Sequence, residues 1–122
     1  MAAPNIVNVT SIFGKTDGVQ LDTTTTTDII TCGADQLYKV NSIIAANIDG
    51  SSASTVTVYF YDHSRSHRTA LADSVTVPAK STLVILGKDS PIYLEESDQI
   101  EAGAGDTNDI HLTISYEILN DA

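Results

Sequence analysis

The stretch "DIHLTISYEIL", Asp109 to Leu119, decides the class of fold. Ile110, Leu112, Ile114, Tyr116 and Ile118 fall on one side of an extended chain, and His111, Thr113, Ser115 and Glu117 on the other. Side chains alternate across a strand, so a two-residue period of this kind describes an antiparallel strand with one dry face and one wet face. "STVTVYFYD", Ser54 to Asp62, repeats it, with Val56, Val58 and Phe60 inward and Thr55, Thr57, Tyr59 and Tyr61 outward. "STLVILG", Ser81 to Gly87, is apolar without interruption and reads as a strand covered on both faces, one of them by a neighbouring subunit.

Working outward, further strands are expected near Ile6–Phe13, Val19–Leu21, Thr26–Cys32, Tyr38–Asn47, Ala70–Val77, Ile92–Leu94 and Gln99–Ala102. Turn chemistry separates them at "KTDG", "CGADQ", "IDGSSAS", "YDHSRSHR", "VPAKS", "GKDSP", "ESDQ" and "GAGDTND". The threonine run Thr23–Thr27 favours extended backbone and reads as the lead-in to a strand. Helical periodicity is nearly absent. The expectation is an all-β, antiparallel β-sandwich, jelly-roll-like, of eight to ten short strands. At 122 residues it forms one domain, 1–122, with residues 1–5 as a flexible or subunit-contacting N-terminal arm.

Six Lys and Arg against 16 Asp and Glu leave a formal charge of −10 at pH 7. Such a surface is repelled by phosphate backbones and anionic lipid, which argues against nucleic-acid and membrane partners. The N-terminus lacks the charged start and apolar core of a signal peptide, and no run is long enough to span a bilayer. Synthesis in the cytosol is therefore expected, and the sequon at Asn8 is idle. The one cysteine, Cys32, sits in an apolar run and reads as a small buried hydrophobe.

Three segments could carry chemistry. In "YLEESDQIEAGA", Glu95, Glu96, Asp98 and Glu101 crowd together, but a hairpin tip would splay them towards water, which is no place for an acid–base pair. "GDTND" imitates the start of a calcium loop, yet Ile110 and His111 stand where a ligand and a glycine are required. "DHSRSHR", Asp62 to Arg68, holds both arginines and two of the three histidines. His63 and His67 lack a third zinc ligand, and Asp62-His63-Ser64 cannot converge as a triad does. No catalytic, cofactor or metal residue is assigned. Arg65, His67 and Arg68, with Tyr59 and Tyr61 on the adjacent strand, are the expected partner-contact residues, since guanidinium groups fork onto carboxylates and tyrosine supplies contact area.

"VPAKSTLVILGKDSPIYLEESDQIEAGAGDTNDIHLTISYEIL" resembles small virion structural proteins of tailed bacteriophages. The matching residues are Pro91, Ile92, Tyr93, Leu94, Glu95, Glu96, Asp98, Ile100, His111, Ser115, Tyr116, Glu117 and Ile118, and the middle stretch Val40–Asp62 is similar as well. Ser97 replaces an expected turn glycine, and the "HSRSHR" loop is more basic than is usual. The resemblance implies a non-enzymatic particle component, with no catalytic residues. It would be a capsid decoration (cement) protein on the outer surface, bridging subunits of the major capsid protein, or else an accessory neck or tail protein. Self-association is the default for such a module, and a homotrimer suits three-fold sites of a shell. A carbohydrate-binding sandwich with Tyr59, Tyr61 or Tyr93 as stacking platforms is the remaining alternative.

Overall fold

The computed structural model describes residues 11–22 and 27–120. The expected arm 1–5, most of the Ile6–Phe13 strand and most of the threonine run lie outside them. Among the described residues nine strands run in chain order: β1 (Ser11–Gln20), β2 (Thr27–Thr31), β3 (Gln36–Asn47), β4 (Ser54–Asp62), β5 (His67–Val77), β6 (Thr82–Leu86), β7 (Ile92–Leu94), β8 (Gln99–Ala104) and β9 (Ile110–Asn120). All pairings are antiparallel.

One sheet has the order β1-β9-β3-β6, with β7 also pairing β3; the other has the order β2-β8-β4-β5. β6 pairs Ile43–Ala46 of β3 and β7 pairs Tyr38–Val40, so the two together line one edge of β3. Counted as one interrupted strand, they make two four-stranded sheets. Only β4 and β5 are consecutive neighbours, and every other connection passes between the sheets. This is the jelly-roll arrangement. The sandwich and the strand count expected from alternation hold.

The inward side chains meet in one core. Val40, Ile43, Ala45, Leu86, Ile110, Leu112, Ile114 and Tyr116 come from the first sheet, and Ile30, Val56, Val58, Val77, Ile100, Ala102 and Ala104 from the second. Cys32 is buried with them, and burial pushes its thiol up to about 11. Asn47 is the polar exception. Its side chain donates to the carbonyls of Ser52 (3.0 Å) and Val77 (2.9 Å) and accepts from the Asp49 amide (2.9 Å), so the burial is compensated and the β3–β4 corner is tied to the end of β5.

One local expectation is corrected. "KTDG" is not a turn: β1 runs straight through it, in unbroken register with β9 from Ser11↔Asn120 to Gln20↔His111. Pairing along ten residues overrides turn propensity, and an edge strand leaves Lys15 and Asp17 their water. "STLVILG" packs Leu83, Ile85 and Leu86 against the core within the chain, and the expected cover of its second face is a neighbouring subunit. β6 is a sheet edge, and Val84 is 61% exposed.

Candidate functional site

The outward face of the β2-β8-β4-β5 sheet brings an arginine and a glutamate together beside an aromatic ring. Alternation along β4 turns Tyr59 and Tyr61 out while Val56 and Val58 enter the core. Tyr59 stands opposite Glu101 of β8 on one side and Ala70 of β5 on the other, and Glu101 stands opposite Asp28 of β2. Arg68 of β5 lies beside Tyr61 in register. Its guanidinium carbon is 5.0 Å from the Tyr59 ring centroid, and its Nη2 is 2.9 Å from Glu101 Oε1. The contact has the distance of an ion pair without the alignment of a directed hydrogen bond.

Glu101 is only 7% exposed. Burial raises its carboxyl above the ordinary value; the charge of Arg68 opposes this, and a carboxyl–carboxylate contact with Asp28 adds to the rise. Aromatic and guanidinium groups thus form a lid over one acid, which is how an outward residue becomes buried. Asp98 is buried for a different reason. Its Oδ1 accepts from the His63 amide and its Oδ2 from the Glu95 amide, both at 2.9 Å. One carboxylate thereby fastens the β4–β5 turn to the β7–β8 turn. The expectation that the four acids of "YLEESDQIE" splay into water fails for Asp98 and Glu101. Glu95 is exposed and Glu96 half-buried, where it accepts from the Asp35 amide at 3.2 Å.

Of the expected contact residues, the structure brings Tyr59, Tyr61 and Arg68 together. Arg65 and His67 do not join them in a cluster. His63–Arg65 forms one 3-10 turn, closed by Ser66 in the left-handed region at φ 50°. Arg65 leans back on Asp62 at 3.9 Å with its side chain 82% exposed, and Ser64 donates to Asp62 at 2.8 Å. His67 is exposed opposite Asp62, and His63 sits edge-on to Tyr61. Tyr93 is on the other sheet, so the three tyrosines considered as sugar platforms do not share a face. Arg68 is thus engaged within the chain, while Arg65 presents its charge to water.

The "GDTND" segment forms a turn with Asn108 at φ 68° and its amide donating to the Leu21 carbonyl at 2.9 Å. Asp49 accepts from the amides of Ser51 and Ser52, which lowers its carboxyl; desolvation and the charges of Asp49 and Asp106 raise Asp109. Among the described residues no three His, Cys, Asp or Glu side chains are placed to hold a metal ion. The role of Asp98 was missed, although a hint was legible in Ser97, the position where a glycine was expected. Ser97 has φ 69°, the left-handed backbone that carries Asp98 inward.

No protein-family model matches the sequence. No curated protein matches it. Among solved structures, the chain is similar to a protein of Bacillus endospore appendages, which form a novel family of disulfide-linked pili. The TM-score is 0.53 at 12% identity, over 92% of this chain and 90% of that one. At that identity the likeness is one of fold.

Proposed function

We propose that this protein is a non-enzymatic structural component of a tailed-bacteriophage virion. In this reading it is a capsid decoration protein that self-associates on the outside of the shell and bridges neighbouring subunits of the major capsid protein. The observation that carries the reading is where the phage-like pattern falls. Pro91 to Ile118 spans β7, β8, most of β9 and the Asp98 tie between two turns, so the shared pattern runs along strands and turns of the sandwich and not around a pocket. A charge of −10 suits an exterior position, away from packaged nucleic acid. Rigidity and an acidic exterior are what a cement needs; neither calls for catalysis.

The test is to add purified protein to particles of the encoding phage assembled without it. Saturable binding over the head and a higher temperature of capsid disruption are expected, and absence of binding sinks the reading. Arg65, exposed and weakly held, is the residue to vary, because Arg68 is occupied by Glu101. Arg65→Ala should weaken capsid binding a few-fold at low salt and hardly at all at high salt.

A second reading, an accessory neck or tail protein, follows from the same sequence pattern. The likeness to a protein of pili favours it, since the fold there serves an elongated appendage. Linkage of the kind named for those pili would need an accessible thiol, whereas Cys32 is buried. Immuno-gold label confined to the tail would select this reading over the first. Glycan-array binding through Tyr59 and Tyr61 would instead favour a carbohydrate-binding module.

A further inference from the structure

β1 is a sheet edge with an unusual sequence. Among the described residues it pairs with β9 alone, over ten residues and with no bulge. Natural edge strands are protected by being short, bulged, prolyl, charged or covered, because their free amides and carbonyls recruit other strands; β1 carries charge at Lys15 and Asp17 but is long and unbulged. Ile12 and Phe13, at 59% and 56% exposure, point to opposite faces of this edge and are both open to water. Gly14 and Gly18 sit where an added Cβ would meet nothing within 4 Å, and neither has a positive φ. Nothing inside the chain calls for glycine at either position.

The stretch "FGKTDGV", Phe13 to Val19, is self-complementary about Thr16. Turned antiparallel against itself with Thr16 on the axis, it sets Lys15 against Asp17, Gly14 against Gly18 and Phe13 against Val19. Lys15 and Asp17 share a face and stand 4.0 Å apart within the strand, at 54% and 33% side-chain exposure, so the contact they make there is weak. Asp17 is held in place by the Tyr116 hydroxyl, which donates to it at 2.6 Å.

We infer that β1 pairs with β1 of a second copy, antiparallel about a two-fold axis at Thr16, joining the two β1-β9-β3-β6 sheets into one. In that pairing Lys15 meets Asp17 of the partner subunit twice over, because the interface is isologous. Opposite charges directly across two strands attract, and like charges there repel. The paired glycines leave the other face low, and Phe13 loses its exposure against Val19 of the partner subunit. The inference does not rest on the virion reading: failure to bind capsids would leave it standing, and a monomeric protein could still bind them. A two-fold contact of this kind could also link larger oligomers across a shell.

Sedimentation of the full chain tests it. Wild type should form a dimer at or below about 1 mM. Lys15→Asp and Asp17→Lys, each placing like charges across the axis, should each weaken self-association about tenfold or more. An equimolar mixture of the two should regain it as a heterodimer, since both cross-strand pairs are then opposite in sign. Thr16→Cys, on the axis, should oxidise to a covalent dimer, while Gly14→Cys should not, its counterpart lying four residues away along the strand. The cysteine arm also serves if a charge variant fails to fold. A wild-type monomer at that concentration, dimerisation indifferent to the charge swaps, a mixture no better than its parts, or equal cross-linking at 14 and 16 would each overturn the inference.

Discussion

Two pairs of opposite charge on this molecule look alike in the sequence and behave differently in the fold. Arg68 and Glu101 come from β5 and β8, on either side of β4 in one sheet, lie 2.9 Å apart with the guanidinium over the Tyr59 ring between them, and so use their attraction within the chain. Lys15 and Asp17 lie two residues apart on a strand that, among the described residues, pairs with β9 alone; they are 4.0 Å from one another at 54% and 33% side-chain exposure. A charge with a buried partner belongs to folding, and a charge facing water on an open edge remains available for assembly. Disturbing the first region should therefore change stability and leave association alone, and disturbing Lys15 should do the reverse; Asp17 takes part in both, because it also accepts from the buried Tyr116 hydroxyl.

The severest disturbance is expected at Asp98, buried at the end of the same sheet as Glu101. Asp98→Ala strips two part-buried amides of their acceptor and unties two turns, and should cost about 2–3 kcal/mol in chemical denaturation. Self-association of the folded fraction should be unchanged; a loss there would blur the division drawn above.

Arg68→Ala leaves the Glu101 carboxyl buried without its cation and should cost about 1–2 kcal/mol, less than for a fully buried pair because Arg68 is half exposed. The cost has a pH signature. Because burial raises Glu101 in the folded state, its contribution is complete below the ordinary glutamate range and is lost as pH rises through the folded value. Stability of wild type relative to Glu101→Gln should therefore fall as pH climbs from about 4 towards neutrality. Arg68→Ala should widen that fall upward in pH. Denaturation midpoints across the range would show it, and a flat difference would mean that Glu101 is not desolvated.

A smaller effect, of opposite sign, is expected at Ser97. Its φ of 69° costs a non-glycine residue about 1 kcal/mol, so Ser97→Gly should stabilise by a similar amount. Smallest of all, Lys15→Asp should move the stability of the monomer by no more than about 0.5 kcal/mol, while its association weakens. A large loss of stability there would place β1 with the folding elements and erase the contrast.

Much of this fold was legible because alternation is a property of a single strand. "DIHLTISYEIL" and "STVTVYFYD" announced β9 and β4, and every inward residue named for them is buried or packs against the core, from Val56 to Ile118. β7 was bounded to the residue at Ile92–Leu94. The turn at Ser97 was marked by an absent glycine. What misled was chemistry whose meaning depends on a neighbour. "KTDG" carries turn letters, but ten residues of β9 hold it straight. Glu101 carries a charge, but Arg68 and Tyr59, distant in sequence, close over it.

By itself, then, the sequence determined that the chain is built of strands, where most of the described ones begin and end, and which face of β4 and β9 meets the core, because side-chain direction follows from backbone geometry one residue at a time. Only the tertiary structure decided which strands are neighbours, which edges stay open and which acids are buried. Those outcomes depend on contacts between residues far apart along the chain, and no local period encodes them.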